Sequence, residues 1–272
     1  MRLLLIGLLI PVWAARSYAG AWNQDPGHCQ VIFTTSYFQT RHQFDSSGTN
    51  QPFGYGGQFH QLSFNPYTEC GLTRHYAVIL NLNAPLLRFG NQFGASNSAG
   101  LGDIEVGIKR RLNSLESNWA VSAQLTAMFP AYSATRNPAP GNHQEDAEVR
   151  FLLGRGSMWG RRKFFWDAES AYRYRSGAPA DQLRADFTSG YTPVSAIMAM
   201  GQIFAIKGLR NGSPFSSTNP NAQSDFDLYK AQASVVILTG QGFRLQPGWN
   251  TAFAGRSTGS GQTVFLGLWK NF

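Results

Sequence analysis

The sequence predicts an all-β protein: a single transmembrane, antiparallel, up-and-down β-barrel of about twelve strands behind a cleaved signal peptide. Three observations predict it. Apolar and polar residues alternate with period two in runs of about ten residues. The gaps between those runs are long and short in turn. The chain closes on an aromatic strand, Thr263-Val-Phe-Leu-Gly-Leu-Trp-Lys-Asn-Phe272.

The first residues set the compartment. Met1-Arg2 is a short basic start, Leu3 to Ala14 is apolar apart from Gly7 and Pro11, and Ser17-Tyr18-Ala19 is a small-x-small cleavage pattern. That is the layout of a secretory signal, and the apolar run is too short for a stable span. Cleavage is expected after Ala19, which leaves one domain over 20–272. From Gly20 onward no apolar run approaches about 18 residues, so helical spanning is not expected.

Composition points the same way. The 29 Gly, 20 Phe, 10 Tyr and 7 Trp suit strands and turns better than helices. Arg2 and Arg16 leave with the signal, which takes the formal balance from +8 to +6. For an exported chain without clustered Lys or Arg, that balance suggests lipopolysaccharide phosphates or an anionic solute, and no nucleic acid.

Alternation is clearest in four segments. From Asn118 to Pro130, Trp119, Val121, Ala123, Leu125, Ala127 and Phe129 share one face against Asn118, Ser122, Gln124 and Thr126. From His75 to Leu87, Tyr76, Val78, Leu80, Leu82 and Leu86 oppose His75, Asn81 and Asn83. In Leu101 to Leu112, Ile104, Val106, Ile108 and Leu112 oppose Asp103, Glu105, Lys109 and Arg111. In Lys163 to Tyr174, Phe164, Trp166, Ala168, Tyr172 and Tyr174 oppose Lys163, Asp167, Glu169 and Arg173. A β-sandwich also alternates, but these apolar faces often end in Trp, Tyr or Phe, as at a bilayer interface.

Strands are expected over 31–44, 58–71, 75–87, 101–112, 118–130, 145–154, 161–174, 182–192, 196–207, 223–238, 243–253 and 261–272. The gaps are 13, 3, 13, 5, 14, 6, 7, 3, 15, 4 and 7 residues. Outer-membrane barrels place long loops outside and short turns in the periplasm, and an even strand count returns both termini to the periplasm. The long gaps at 45–57, 131–144 and 208–222 are polar and rich in turn formers. At the end of the chain, Gly267 and Phe272 match the signal by which the barrel-insertion machinery recognises its clients; Lys270 departs from it. An ordinary edge strand there would invite aggregation, whereas closure against the first strand removes the edge.

Cys29 precedes the first strand and Cys70 ends the second, so an antiparallel hairpin brings them near each other. Either a disulfide or two isolated thiols fits the export pathway. If the apolar faces meet lipid, the lumen-lining candidates are Asp103, Glu105, Lys109, Arg111, Glu148, Arg150, Asp167, Glu169, Arg173, Arg184, Asp186 and Arg244. A lining of mixed sign fits a selectivity surface or a salt-bridged plug equally well. No Gly-x-Ser-x-Gly elbow, metal-ligand spacing or phosphate loop occurs, so no catalytic residue, metal or cofactor is assigned. His28, His42, His60, His75 and His143 read as polar loop or rim residues. Phe53, Tyr55, Phe93, Tyr132 and Phe215 in the outer loops suit interface anchors or stacking platforms for sugars and small aromatics.

These segments also carry a family likeness. Gly20-Ala-Trp22, Gly27-His-Cys-Gln-Val-Ile32, Leu62-x-x-Asn-Pro-Tyr67, Glu69-Cys-Gly-Leu-Thr-Arg74 and Gly100-Leu-Gly-Asp-Ile-Glu-Val-Gly-Ile-Lys109 follow in order. The chain resembles outer-membrane proteins of the phenol meta-pathway transporter type, in particular XagA-like members linked to surface-polysaccharide and biofilm adhesin production. The resemblance implies a barrel in the outer membrane, partnered by its lipids and lipopolysaccharide, with small aromatic or sugar solutes or polysaccharide-export components as further partners. It implies no catalytic residues. Cys70 departs from it, since an aromatic is usual there, so a Cys29–Cys70 bond would be a local feature. Three readings follow: a passive conduit or export accessory, a closed barrel acting through its loops, and a barrel enzyme acting on lipid or lipopolysaccharide.

Overall fold

The computed structural model describes residues 20–239 and 242–272. The expected signal sequence lies outside the described residues. The elements are β1 (Cys29–Phe44), β2 (Asn50–Pro52), β3 (Gln58–Gly71), β4 (Tyr76–Leu82), β5 (Ala84–Asn91), β6 (Gly94–Ala99), β7 (Asp103–Arg111), β8 (Trp119–Pro130), β9 (Asp146–Trp159), β10 (Arg162–Arg175), β11 (Gln182–Val194), β12 (Ile197–Gly208), β13 (Asp227–Leu238), β14 (Phe243–Arg256) and β15 (Thr258–Asn271).

The sheet closes into an antiparallel ring because β1 pairs with β3 on one edge and with β15 on the other. β4 and β5 pair with β3 in one register and act as one strand interrupted at Asn83. β6 and β7 act as a second such strand, shifted by one residue through 100–102. β2 only widens the rim beside β1. The wall therefore has twelve strands, and closure leaves neither the first nor the last as an open edge. The start of β1 and the end of β15 lie at one rim, called proximal below; the long loops lie at the distal rim.

The alternation decides which side each residue faces. Leu125, Phe151, Phe253 and Val264 are each more than half exposed on the outward face. The intervening positions turn inward, where Gln30, Glu69, Lys109, Ser122 and Glu148 are buried. Polar groups inside and apolar groups outside is the reverse of a water-soluble sandwich.

Two expected loops are absent, and the long-short alternation of gaps fails at both. Residues 88–100 belong mostly to a hairpin: Asn91 faces Gly94 across a two-residue turn, and the Asn91 side chain accepts from the Phe93 N–H at 2.9 Å. Residues 254–260 reduce to a turn at Ser257, which takes the left-handed φ of 50°. Gly259, expected in the loop, and Gly261, expected to open the last strand, both sit inside β15. A Cβ on Gly261 would stand 2.5 Å from the Gln39 carbonyl, so glycine marks a close backbone approach there.

Candidate functional site

The lumen holds a chamber of about 870 Å³. Its walls come from the inward faces of β1, β3 and β10–β15. Three features shape it: a strap below, a charged ladder at one side, and loops above.

The strap is the segment from Gly20 to Gln24, which runs inside the ring ahead of β1. Lys109 Nζ donates to the carbonyls of Gly20 and Trp22 and to Glu69 Oε2, each at 2.8 Å. Ser122 Oγ donates to the Ala21 carbonyl at 2.6 Å, and the Ala21 N–H donates to Asp167 Oδ2 at 2.9 Å. Ala21 packs with Ala120, Leu152 and Trp22, and the Trp22 ring meets Phe165 edge-on at 6.2 Å. Gly154 admits the Trp22 ring; a Cβ there would stand 2.6 Å from it. Without these partners the strap's carbonyls and the Lys109 ammonium would be buried unpaired, which is costly.

The ladder crosses β7, β9, β10 and β11. Glu148 accepts from Arg150 Nε and Arg173 Nε at 2.9 Å each, and Arg184 Nη1 stands 3.5 Å away. Register places Glu169 directly opposite Asp186, a repulsive pair by itself. Arg150 reaches across to both, to Asp186 at 2.5 Å, and joins them. Arg173 also meets Glu105 at 3.8 Å.

The loops at 131–145 and 209–226 fold toward each other over the distal mouth. Asn219 Nδ2 donates to the Ala139 carbonyl at 2.7 Å, and Thr218 bonds Asn137. Pro140, Asn219 and Asn221 line the chamber from above. Within this cap, burial and the neighbouring Asp103 carboxylate both push the Tyr132 hydroxyl's pKa up.

All twelve charged lumen candidates lie on inward positions, but they do three different jobs. Glu105, Glu148, Arg150, Glu169, Arg173, Arg184 and Asp186 form the ladder. Lys109 and Asp167 hold the strap. Asp103, Arg111 and Arg244 sit at the rims: Asp103 beside Tyr132, Arg111 on the Asn113 side chain and the Trp119 carbonyl, and Arg244 opposite Trp269 without an ion pair among the described residues. Cys29 and Cys70 face each other in register and are joined as a disulfide. Gly267 and Phe272 fall in and just after β15.

Sequence reasoning missed Glu69 and Lys230. Glu69 continues the inward row Gln61, Ser63, Asn65 and Tyr67 of β3, but Phe59 and Tyr67 blur that row's polarity. Lys230 begins the row Lys230, Gln232, Ser234 in an otherwise apolar strand, and that alternation was the available signal. The histidines stay outside the lumen's charge network. His60 bonds Tyr37 on the outward face at 2.7 Å, and His143 packs on Tyr132.

No family model matches the sequence, and no curated protein matches it. Solved structures do match. An outer membrane channel from Pseudomonas putida F1 superposes with a TM-score of 0.68 at 10% identity, over 94% of this chain and 99% of that one. The β domain of the Bordetella autotransporter BrkA gives 0.52 at 12% identity, over 90% and 99%. The NanC porin gives 0.50 at 9% identity, over 88% and 98%. At such identities the likeness establishes architecture alone: this chain has the fold of the outer-membrane β-barrels.

Proposed function

We infer that the protein is an outer-membrane barrel that serves as a passive conduit for small solutes. The observation that carries this is the chamber of about 870 Å³ inside an apolar-walled ring, with its charges on one side. Pockets of this size hold one small molecule. The outward apolar face supports the membrane setting, since an apolar surface so extensive is not left in water. Two of the matching folds belong to a channel and a porin, which supports transport as the use of the fold.

The ladder favours selection over simple plugging. Its charges are paired, yet Glu169, Arg184 and Asp186 still line open space. A role in surface-polysaccharide export draws support from the family likeness; the chamber's volume and its strap support the small-solute version. Conductance of the refolded mature chain in planar bilayers tests the reading. Discrete steps are expected, and Arg150→Gln should shift the reversal potential toward cations by freeing Glu169 and Asp186. Silence from protein shown to be folded by heat-modifiable gel mobility refutes the conduit.

A further inference from the structure

We propose that the distal half of the chamber is a binding site for a solute carrying one carboxylate on an apolar body, held by Arg184 and Lys230. This rests on the conduit reading and names the class of solute.

Both cations line the chamber, and both are under-supplied with acceptors. Arg184 touches one carboxylate, Glu148, at 3.5 Å, and Glu148 already accepts shorter bonds from Arg150 and Arg173. Its Nε is buried without a hydrogen-bond partner. Lys230 has no carboxylate within ion-pair distance among the described residues; its ammonium lies over the Phe204 ring at 5.6 Å. The acid that register brings closest, Asp186, is held by Arg150 at 2.5 Å. A buried donor without an acceptor is costly, so an acceptor brought by a ligand is favoured there.

The surface between the two cations is apolar. Register sets Arg184 beside Ile206 and Lys230 beside Phe204, and Ile206 in turn beside Leu228. These three apolar side chains face the chamber, and Phe226 closes the same wall. A guanidinium presents Nε and Nη in a planar fork that matches a carboxylate, and the lysine supplies a second charge. A neutral apolar solute would bring neither cation an acceptor. A small hydrophilic anion would leave the apolar wall bare.

Isothermal titration of the refolded mature chain with benzoate, benzamide and acetate tests the site without any appeal to transport. Benzoate is expected to bind, with benzamide and acetate each at least about tenfold weaker. Lys230→Gln, whose replaced side chain has no salt bridge to lose, should weaken benzoate by about tenfold in protein whose heat-modifiable mobility is unchanged. Arg184→Lys should weaken it as well, by loss of the planar fork. Equal binding of benzoate and benzamide, or unaltered benzoate affinity in Lys230→Gln, overturns the proposal. Benzoate binding by a barrel that never conducts keeps this site and removes the conduit; conduction with no benzoate binding does the reverse.

Discussion

Replacing Lys109 by methionine keeps the length of the side chain and removes its ammonium. Three acceptors lose the ammonium at once: Glu69 Oε2, which keeps the Tyr67 hydroxyl at 2.9 Å but no cation, and the carbonyls of Gly20 and Trp22. Lys109 is 1% exposed and Glu69 0%, so water does not take over the vacated bonds. Breaking one partner of a buried ion pair costs about 3–5 kcal/mol, because the survivor is left charged and unpaired. Removing both partners costs much less, since two apolar side chains need no acceptor. The expected order of stability is therefore wild type, then Lys109→Met with Glu69→Met, then Lys109→Met alone. Urea titration of these three proteins and of Glu69→Met alone in lipid vesicles, monitored by tryptophan emission and by gel mobility, measures the coupling directly. The strap also loses its main anchor in Lys109→Met, so single-channel current should rise in that variant. A double variant as unstable as the sum of the single ones, with coupling under about 0.5 kcal/mol, refutes the argument.

Three further outcomes follow from the same geometry. Leu125 stands mid-wall on the outward face, beside Ile108 and Val149 in register, so Leu125→Arg should cost about 2–4 kcal/mol in a bilayer; a water-facing wall would show under about 0.5 kcal/mol in the same urea titration. The folded, unreduced protein should show no free thiol at Cys29 or Cys70. Reduction should cost up to about 4 kcal/mol for a loop of this span, and two titratable thiols in the unreduced protein would refute the bond. Asp181, in the loop after β10, is partly desolvated, but the N–H of Arg175 and the side chains of Tyr172 and Asn211 outweigh this and hold its carboxyl below the ordinary 3.8. A depressed folded value means the stabilisation is present above 3.8 and is lost as pH falls through the folded value. The protection of the Arg175 amide, taken relative to its intrinsic exchange rate at each pH, should fall in acid in the wild type, and Asp181→Asn should remove that dependence.

The ring and its two faces were legible because a wall one residue thick imposes period two on every strand. Trp119 to Phe129 and Tyr76 to Leu86 each follow that rule. The ends of strands were less legible. Asn91-Gln-Phe-Gly94 and Gly255-Arg-Ser-Thr258 are tight turns embedded in Gly- and Ser-rich stretches, and composition alone reads such stretches as long loops. Glycine at 259 and 261 answers to a crowded interior, which only the fold reveals. The ladder shows the deeper limit. Inward placement of Arg150 follows from alternation, but its contact with Asp186 spans from β9 to β11. That contact depends on the stagger between neighbouring strands, which no single strand encodes. The strap is the extreme case. Gly20-Ala-Trp22 has no periodicity at all, and its place beneath the chamber is set by Lys109, Ser122 and Asp167 on three different strands.

The two neighbours of β1 hold it in different ways. Against β15 it is fastened by main-chain hydrogen bonds; against β3 it is fastened by main-chain hydrogen bonds and by the Cys29–Cys70 link at its proximal end. A force that parts the wall sideways therefore meets unequal hinges. The β1–β15 side unzips from its rim, while the β1–β3 side stays pinned at the point where unzipping would begin. The first strand then stays with the second, and the strap that precedes Cys29 stays bound to Lys109, Ser122 and Asp167. The bond thus fixes the handedness of any lateral door in the bilayer: the jamb is β1 with β3, and the moving leaf is β15.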